Sequence, residues 1–159
     1  MSGSTDQRKL IESEADEVFV LKKKQETTVT KTVCFSILDL VEKINDEDNK
    51  KKPIDTPKFK MGNLKLHFIV YPEDNEGHIG FYIENPNKED VLISLELKES
   101  PQKSAFSNRR MKANTGHGWK SFVSHDAYRK WAAENGDVFK ITATVTRHLK
   151  SAEKWTTLR

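Results

Sequence analysis

The segment GHGWKSFVSHD, residues 116–126, predicts a strand that runs directly into a helix. Gly116 and Gly118 flank a turn, and a short run of aromatic and β-branched side chains follows it. Such side chains favour strands because they pack well on a pleated surface. Ser124 and Asp126 can then accept hydrogen bonds from the free amides of a helix N-terminus. The segment therefore predicts a strand followed at once by a capped helix.

That helix is predicted over residues 124–134. Asn135-Gly136 ends it, because glycine adopts the positive φ that a helix terminus often needs. Four side chains at helical spacing form its predicted inner stripe: Ala127, Tyr128, Trp131 and Ala132. A helical turn is also indicated at 39–44.

The rest of the ordered sequence consists of short runs with apolar residues at alternate positions, the period of a β-strand. Pro72 closes one of them because proline has no amide hydrogen to donate. Helices do not alternate with these runs, so a parallel sheet is not expected. The sequence predicts an all-β fold, a seven- to eight-stranded antiparallel β-sandwich with one short helix in the C-terminal third. The predicted strands lie at 28–38, 58–61, 64–71, 79–83, 91–97, 109–113, 119–123 and 137–146.

The apolar phase of these strands predicts the core. Cys34 lies inside a strand rich in β-branched residues, where cysteine usually behaves as a small buried hydrophobe. Eight larger side chains are expected to be buried: Phe35, Leu66, Phe68, Val70, Leu95, Phe122, Phe139 and Ile141.

Length and composition indicate one domain with charged flanks. The chain has 159 residues, 32% of them charged, and a net charge of only +3. We expect a flexible acidic arm at 1–17, a sandwich domain at 18–147 and a polar tail at 148–159, with few tertiary contacts in 1–16 and 150–159. The lysine-rich stretch 45–55 is interpreted as a solvated loop. A signal core and a membrane-length apolar run are absent, so cytoplasm or nucleus is the expected compartment.

The sequence contains no recognisable catalytic or metal-binding motif. Cys34 is the single cysteine, so it cannot form an internal disulfide or complete a zinc site with cysteine partners. The five histidines lack ligand spacing, and no glycine-rich phosphate loop is present. We therefore expect no enzymatic activity, no cofactor and no bound metal.

Three segments in this order, 64–72, 116–126 and 137–145, resemble the MATH (meprin and TRAF homology) domain. The resemblance covers about residues 30–147 and includes Phe81-Tyr82. The family usually has tryptophan in its first strand and in the strand that ends in proline. Ile37 or Leu38, and Leu66, stand at those places here. This chain therefore resembles a divergent member, and the difference bears on partner specificity more than on fold.

The resemblance implies a recognition module that binds an extended peptide along an edge strand and a shallow groove. Addition of a strand is physically reasonable, because an exposed edge offers unpaired amides and carbonyls. Gly116 and Gly118 would leave room for the backbone of the peptide. Carried onto this sequence, the implied peptide-binding residues are Tyr82, Ile93, Arg109, Met111, Gly116, His117, Gly118, Trp119 and Lys120.

The resemblance also implies an adaptor or scaffold that recruits proteins for ubiquitin-dependent turnover or signalling. An alternative is a nucleic-acid-associated sandwich that uses Lys22–Lys24, Lys50–Lys52 and Arg109–Arg110. The basic clusters lack interleaved aromatic residues, which disfavours that alternative. A third interpretation is a sandwich that only associates with folded domains in a complex. The partner, the oligomeric state and the pathway are not determined by the sequence.

Overall fold

Antiparallel strands make up most of the computed structural model, which describes residues 27–102 and 104–149. Within them, Thr28–His148 form one compact unit. The predicted arm at 1–17, the start of the predicted domain and nearly all of the tail lie outside the described residues. The strands are β1 (Thr27–Leu38), β2 (Ile54–Asp55), β3 (Phe59–Met61), β4 (Leu64–Tyr71), β5 (His78–Asn85), β6 (Val91–Glu99), β7 (Ala105–Met111), β8 (Thr115–Ser124) and β9 (Val138–Leu149); the helices are α1 (Leu40–Ile44) and α2 (His125–Asn135).

The strands form two antiparallel sheets, which confirms the predicted all-β sandwich. One sheet has the order β1-β9-β6-β7, and the other has the order β2-β4-β5-β8 with β3 paired to β4. In the described part of the chain the strands number nine. The two-residue β2 is the strand that the sequence did not indicate, because two residues show no alternation. β7 and β8 are each the last strand of their sheet.

The core lies between the sheets, on the inward phase of each strand. On β4 the pattern is strict, since Leu64, Leu66, Phe68 and Val70 are buried and the residues between them are less covered. Seven of the eight predicted core residues are buried. Phe35 is a correction, because it is only half-buried. It lies on β1 at the end of its sheet, where its ring is covered on one side by Phe59 and Phe68, 6.3 and 6.0 Å away.

Cys34 also corrects the sequence prediction, because it is exposed. It falls on the outward phase of β1, between the inward-facing Val33 and Phe35. Its sulfur lies 3.4 Å from the hydroxyl of Thr142 on the neighbouring β9. Strand period, rather than residue type, therefore decides its position.

Helix α2 begins and ends close to the predicted residues. The Ser124 hydroxyl accepts a hydrogen bond from the Ala127 amide at 3.0 Å, and Gly136 follows the helix with a φ of 92°. Tyr128 is fully buried and donates a 2.9 Å hydrogen bond to Asp137. The predicted inner stripe is wrong at Ala127, which is exposed on the first turn beside the cap.

Most residues of the lysine-rich loop are exposed, as the sequence predicted, but two of its lysines are held by a carboxylate. Lys50 and Lys51 form ion pairs with Glu73 at 3.3 and 3.2 Å, and the Glu73 side chain is only 10% exposed. These pairs connect the loop to Glu73, the residue that follows Pro72. Two of the three lysines therefore already have a carboxylate partner.

Candidate functional site

The last strands of the two sheets lie side by side, because only residues 112–114 connect β7 to β8. Asn85 positions this connection from β5: its side-chain amide donates to the carbonyl oxygens of Met111 and Lys112, both at 3.2 Å. Asn85 is fully buried. It is a positioning residue that sequence reasoning missed.

Three aromatic side chains bridge the two edges and are called the edge cluster: Phe106, His117 and Trp119. The Phe106 ring on β7 lies 4.8 Å from the His117 ring and 5.9 Å from the Trp119 ring, both on β8. All three are half-buried. The cluster is therefore an apolar surface that lies partly open at the edge of the sandwich.

Trp119 faces the interior of the sandwich at its rim. It lies directly opposite Phe81 on β5, and the two rings are stacked at 6.2 Å with 5° between their planes. Phe122 covers it from the same strand at 5.7 Å. One part of the indole is thus held by the core, and the rest is accessible.

The His117 side chain behaves as a neutral aromatic group. Burial, together with the positive charge of Arg109, lowers the pKa of His117 below its usual value. The imidazole is therefore uncharged at neutral pH. Arg109 itself is exposed on β7.

The outward phase of β8 carries no side chain at two successive positions. Gly118 lies opposite Tyr82 and Gly116 lies opposite Glu84 on β5. A Cβ on Gly118 would overlap backbone atoms of Phe81 and Tyr82, and one on Gly116 would overlap the Glu84 carboxylate. The missing side chains therefore leave room for backbone atoms of β5 beside Gly118 and for the Glu84 carboxylate beside Gly116. The predicted role of both glycines, room for the backbone of a peptide, stays a prediction.

Tyr82 lies on the outer face of the five-stranded sheet rather than in the edge cluster. Its hydroxyl donates to Asp74, and its ring contacts Tyr71 edge-on at 5.8 Å. Burial and this hydrogen bond raise the pKa of Tyr82 above its ordinary value. The hydroxyl therefore stays protonated and serves to fix the ring beside Gly118.

The structure separates the predicted site residues into two groups. Seven of them lie at or near the accessible edge: Tyr82, Arg109, Gly116, His117, Gly118, Trp119 and Lys120. Ile93 and Met111 are 0% and 2% exposed, so their side chains belong to the core. The prediction that they contact a peptide is corrected, because both fall on the inward phase of their strands.

Phe106 is the aromatic side chain that sequence reasoning missed. β7 spans Ala105–Met111, whereas the sequence predicted a strand at 109–113. Apolar residues alternate poorly along this strand, and the four residues between Phe106 and Met111 are all exposed. Its partner on β8 comes from another sheet, so no local pattern could indicate the contact.

A cavity of about 310 Å³ lies away from this edge, between α1 and the loop at 45–55. Its lining is mixed in charge, with Glu42, Asp46 and Lys52 among the residues. Asp46 is already engaged by Asn49 at 2.6 Å. Within residues 27–102 and 104–149, no three His, Cys, Asp or Glu side chains are placed to hold a metal ion.

No protein-family model and no curated protein sequence matches this chain. In the described part of the chain, no helix is long and apolar enough to cross a membrane. The similarity to MATH domains therefore stays a prediction.

Proposed function

We propose that this protein binds extended peptide segments of partner proteins by strand addition at β8. The observation that carries the proposal is a strand edge that has no pairing partner and lacks the features that usually prevent strand addition. Residues 116–119, here called the open segment, pair in continuous register with β5 and have no strand on their other side among the described residues. The open segment carries no charge, no proline and no bulge.

The other edges of the sandwich are less suited to receive a strand. β2 and β3 have two and three residues. β1 carries Lys31 on its inward phase, between Val29 and Val33. Inward-pointing charges and short edges are devices that discourage pairing with another chain. β8 is therefore the edge at which addition of a strand meets the least resistance.

The edge cluster supplies the side-chain contacts that main-chain pairing lacks. In a strand added to β8, the residues opposite His117 and Trp119 point to the same face as those two rings. Apolar side chains at these two positions would cover the accessible parts of the edge cluster. Affinity on the order of micromolar is expected, because a short peptide loses entropy when it becomes ordered.

The resemblance to MATH domains supports the same surface and suggests its use. A module of this kind would act as an adaptor or scaffold, with ubiquitin-dependent turnover or signalling as the proposed setting. A nucleic-acid role finds less support, because Lys50 and Lys51 are paired with Glu73, and Arg110 lies 3.6 Å from Asp90. Cations that already have carboxylate partners are less available to phosphates.

The proposal is tested by selecting random dodecapeptides displayed on phage against the full chain and against Trp119→Ala. Selected peptides should bind the wild type at least tenfold more tightly than the variant. Trp131→Ala is the matched control, because Trp131 is also half-buried and stacked at 5.8 Å on a tyrosine, but lies on α2. That variant should bind like the wild type.

The location is tested by amide chemical-shift mapping with a selected peptide. The largest changes should fall on the backbone of residues 115–120. Changes confined to another face, for example the loop at 45–55, would refute the assignment. An absence of any peptide whose binding depends on Trp119 would refute peptide recognition at this edge.

A further inference from the structure

Glu84 places a carboxylate at the open segment. It lies directly opposite Gly116 in the β5–β8 pairing, on the outer face of the sheet. Its carboxylate group occupies the space that a side chain on Gly116 would fill. β8 is the last strand of its sheet, so no strand in the described part of the chain pairs with it on the side of the free edge.

This carboxylate has no compensating partner among the described residues. It forms no side-chain hydrogen bond and no ion pair there, although it is half-buried. Burial and the negative charge of Asp55 raise the pKa of Glu84. His67 lies opposite it on β4, but burial lowers the pKa of His67, so the imidazole is neutral at pH 7. A half-buried anion without a cation is unfavourable unless a ligand supplies one.

An added strand would bring such a group to Glu84. Neighbouring strands lie about 4.8 Å apart, and directly opposite residues share a face. The residue opposite Gly116 would therefore point outward, beside the Glu84 carboxylate. Since Gly116 has no side chain, nothing on β8 stands between the two.

We propose that Glu84 selects partner peptides that carry lysine or arginine opposite Gly116. This inference rests on the proposed function and specifies its peptide class. The recognised pattern is a basic residue on the outer face, with apolar residues at the two positions that face His117 and Trp119. Those apolar positions lie one and three residues from the basic one, on the same side of it.

A cation fits the site better than a neutral hydrogen-bond donor does. Asp55 adds a second negative charge to the surroundings of Glu84. Charge-assisted hydrogen bonds are also stronger than neutral ones. Replacing the basic residue of a selected peptide by glutamine should weaken binding about two- to fivefold, the range for a partly exposed ion pair.

The test repeats the dodecapeptide selection with Glu84→Gln and Glu84→Lys. The wild type should enrich lysine or arginine one residue from an apolar-x-apolar pair. Glu84→Gln should lose that enrichment, and Glu84→Lys should enrich aspartate or glutamate there. Glu96→Gln is the control, because Glu96 is an exposed glutamate on β6 of the other sheet. It should select like the wild type.

The outcomes separate the two proposals. Trp119-dependent peptides without a basic preference, or with serine, threonine or asparagine preferred instead, would overturn the role of Glu84 and leave strand addition standing. The same holds if Glu84→Gln keeps the basic preference. An absence of Trp119-dependent peptides would overturn both. Circular dichroism of each variant ensures that a lost preference reflects the site rather than the fold.

Discussion

β7 and β8 are the last strands of the two sheets and are joined by three residues, but their backbone edges differ. β7 bulges against β6 between the positions of Ile93 and Leu95, and Asn108 there has a φ of 48°. Arg109 and Arg110 follow on its exposed surface. The open segment of β8 has a regular register and no charge. Bulges and charges protect an edge from pairing, so β7 is protected there, whereas β8 is open over residues 116–119, before its own register shift and Lys120.

This contrast would confine the proposed strand addition to one place on the sandwich. Both edges contribute to the edge cluster, since Phe106 comes from β7 and the other two rings come from β8. In the proposed complex β7 would supply apolar surface, while its bulge and charges disfavour pairing of its backbone. The open strand supplies the backbone groups.

The largest expected effect on stability comes from truncating a core aromatic ring, compared with truncating a ring of the edge cluster. Phe68 is fully buried on β4, so Phe68→Ala should lower the free energy of unfolding by about 3–5 kcal/mol. Phe106→Ala removes a half-buried ring and should cost about 1–2 kcal/mol. Urea denaturation of both variants gives the comparison. Equal losses would show that the edge cluster is part of the core.

The next effect distinguishes the two glycines of the open segment. Gly118→Ala should cost about 2–3 kcal/mol, because the new Cβ meets backbone atoms of β5 that cannot move aside. Gly116→Ala meets only the flexible end of Glu84, and should cost less than about 1 kcal/mol. Thermal unfolding measures both. If Gly116→Ala were the more harmful, the outer face of β8 would be packed differently.

A charged side chain in the open segment should make the edge of β8 as unfavourable for strand pairing as that of β7. His117→Lys introduces a charge into the open segment, and should weaken a selected peptide about tenfold, or about 1.4 kcal/mol, in a fluorescence titration. The reciprocal change Arg109→Thr should not give β7 a peptide-binding edge, because the bulge at Asn108 remains. Unaltered affinity in His117→Lys would show that the peptide does not pair with β8.

The smallest effect concerns the pH dependence of stability at Glu84. Its pKa in the folded state is raised above the unfolded value of about 4.3, so the folded state binds more protons in the interval between them. The contribution of Glu84 to stability therefore falls as pH rises through that interval. Glu84→Gln should be more stable than the wild type at pH 7, with a smaller advantage at pH 4. A constant difference between the two pH values would contradict an uncompensated carboxylate.

The sequence by itself determined the sandwich, most of its strands and the late helix. Alternation along 64–71 marked Leu66, Phe68 and Val70 as core, and Ser124 and Gly136 marked the ends of α2. These features are local, since strand period and cap chemistry act over a few residues. Cys34 shows the limit of residue type alone, because its place in the strand period put it on the surface.

Only the tertiary structure decided which strand edges stay open and which residues meet there. The resemblance to MATH domains implied Trp119 and His117 as site residues, but neither it nor the residue pattern indicated Phe106 or Glu84. Phe106 reaches them from the other sheet, and Glu84 reaches Gly116 through the register of β5 with β8. Strand order and register depend on contacts between residues far apart in the chain. A short window of sequence therefore shows which residues suit an edge, while the packing of the two sheets decides which edge is left open.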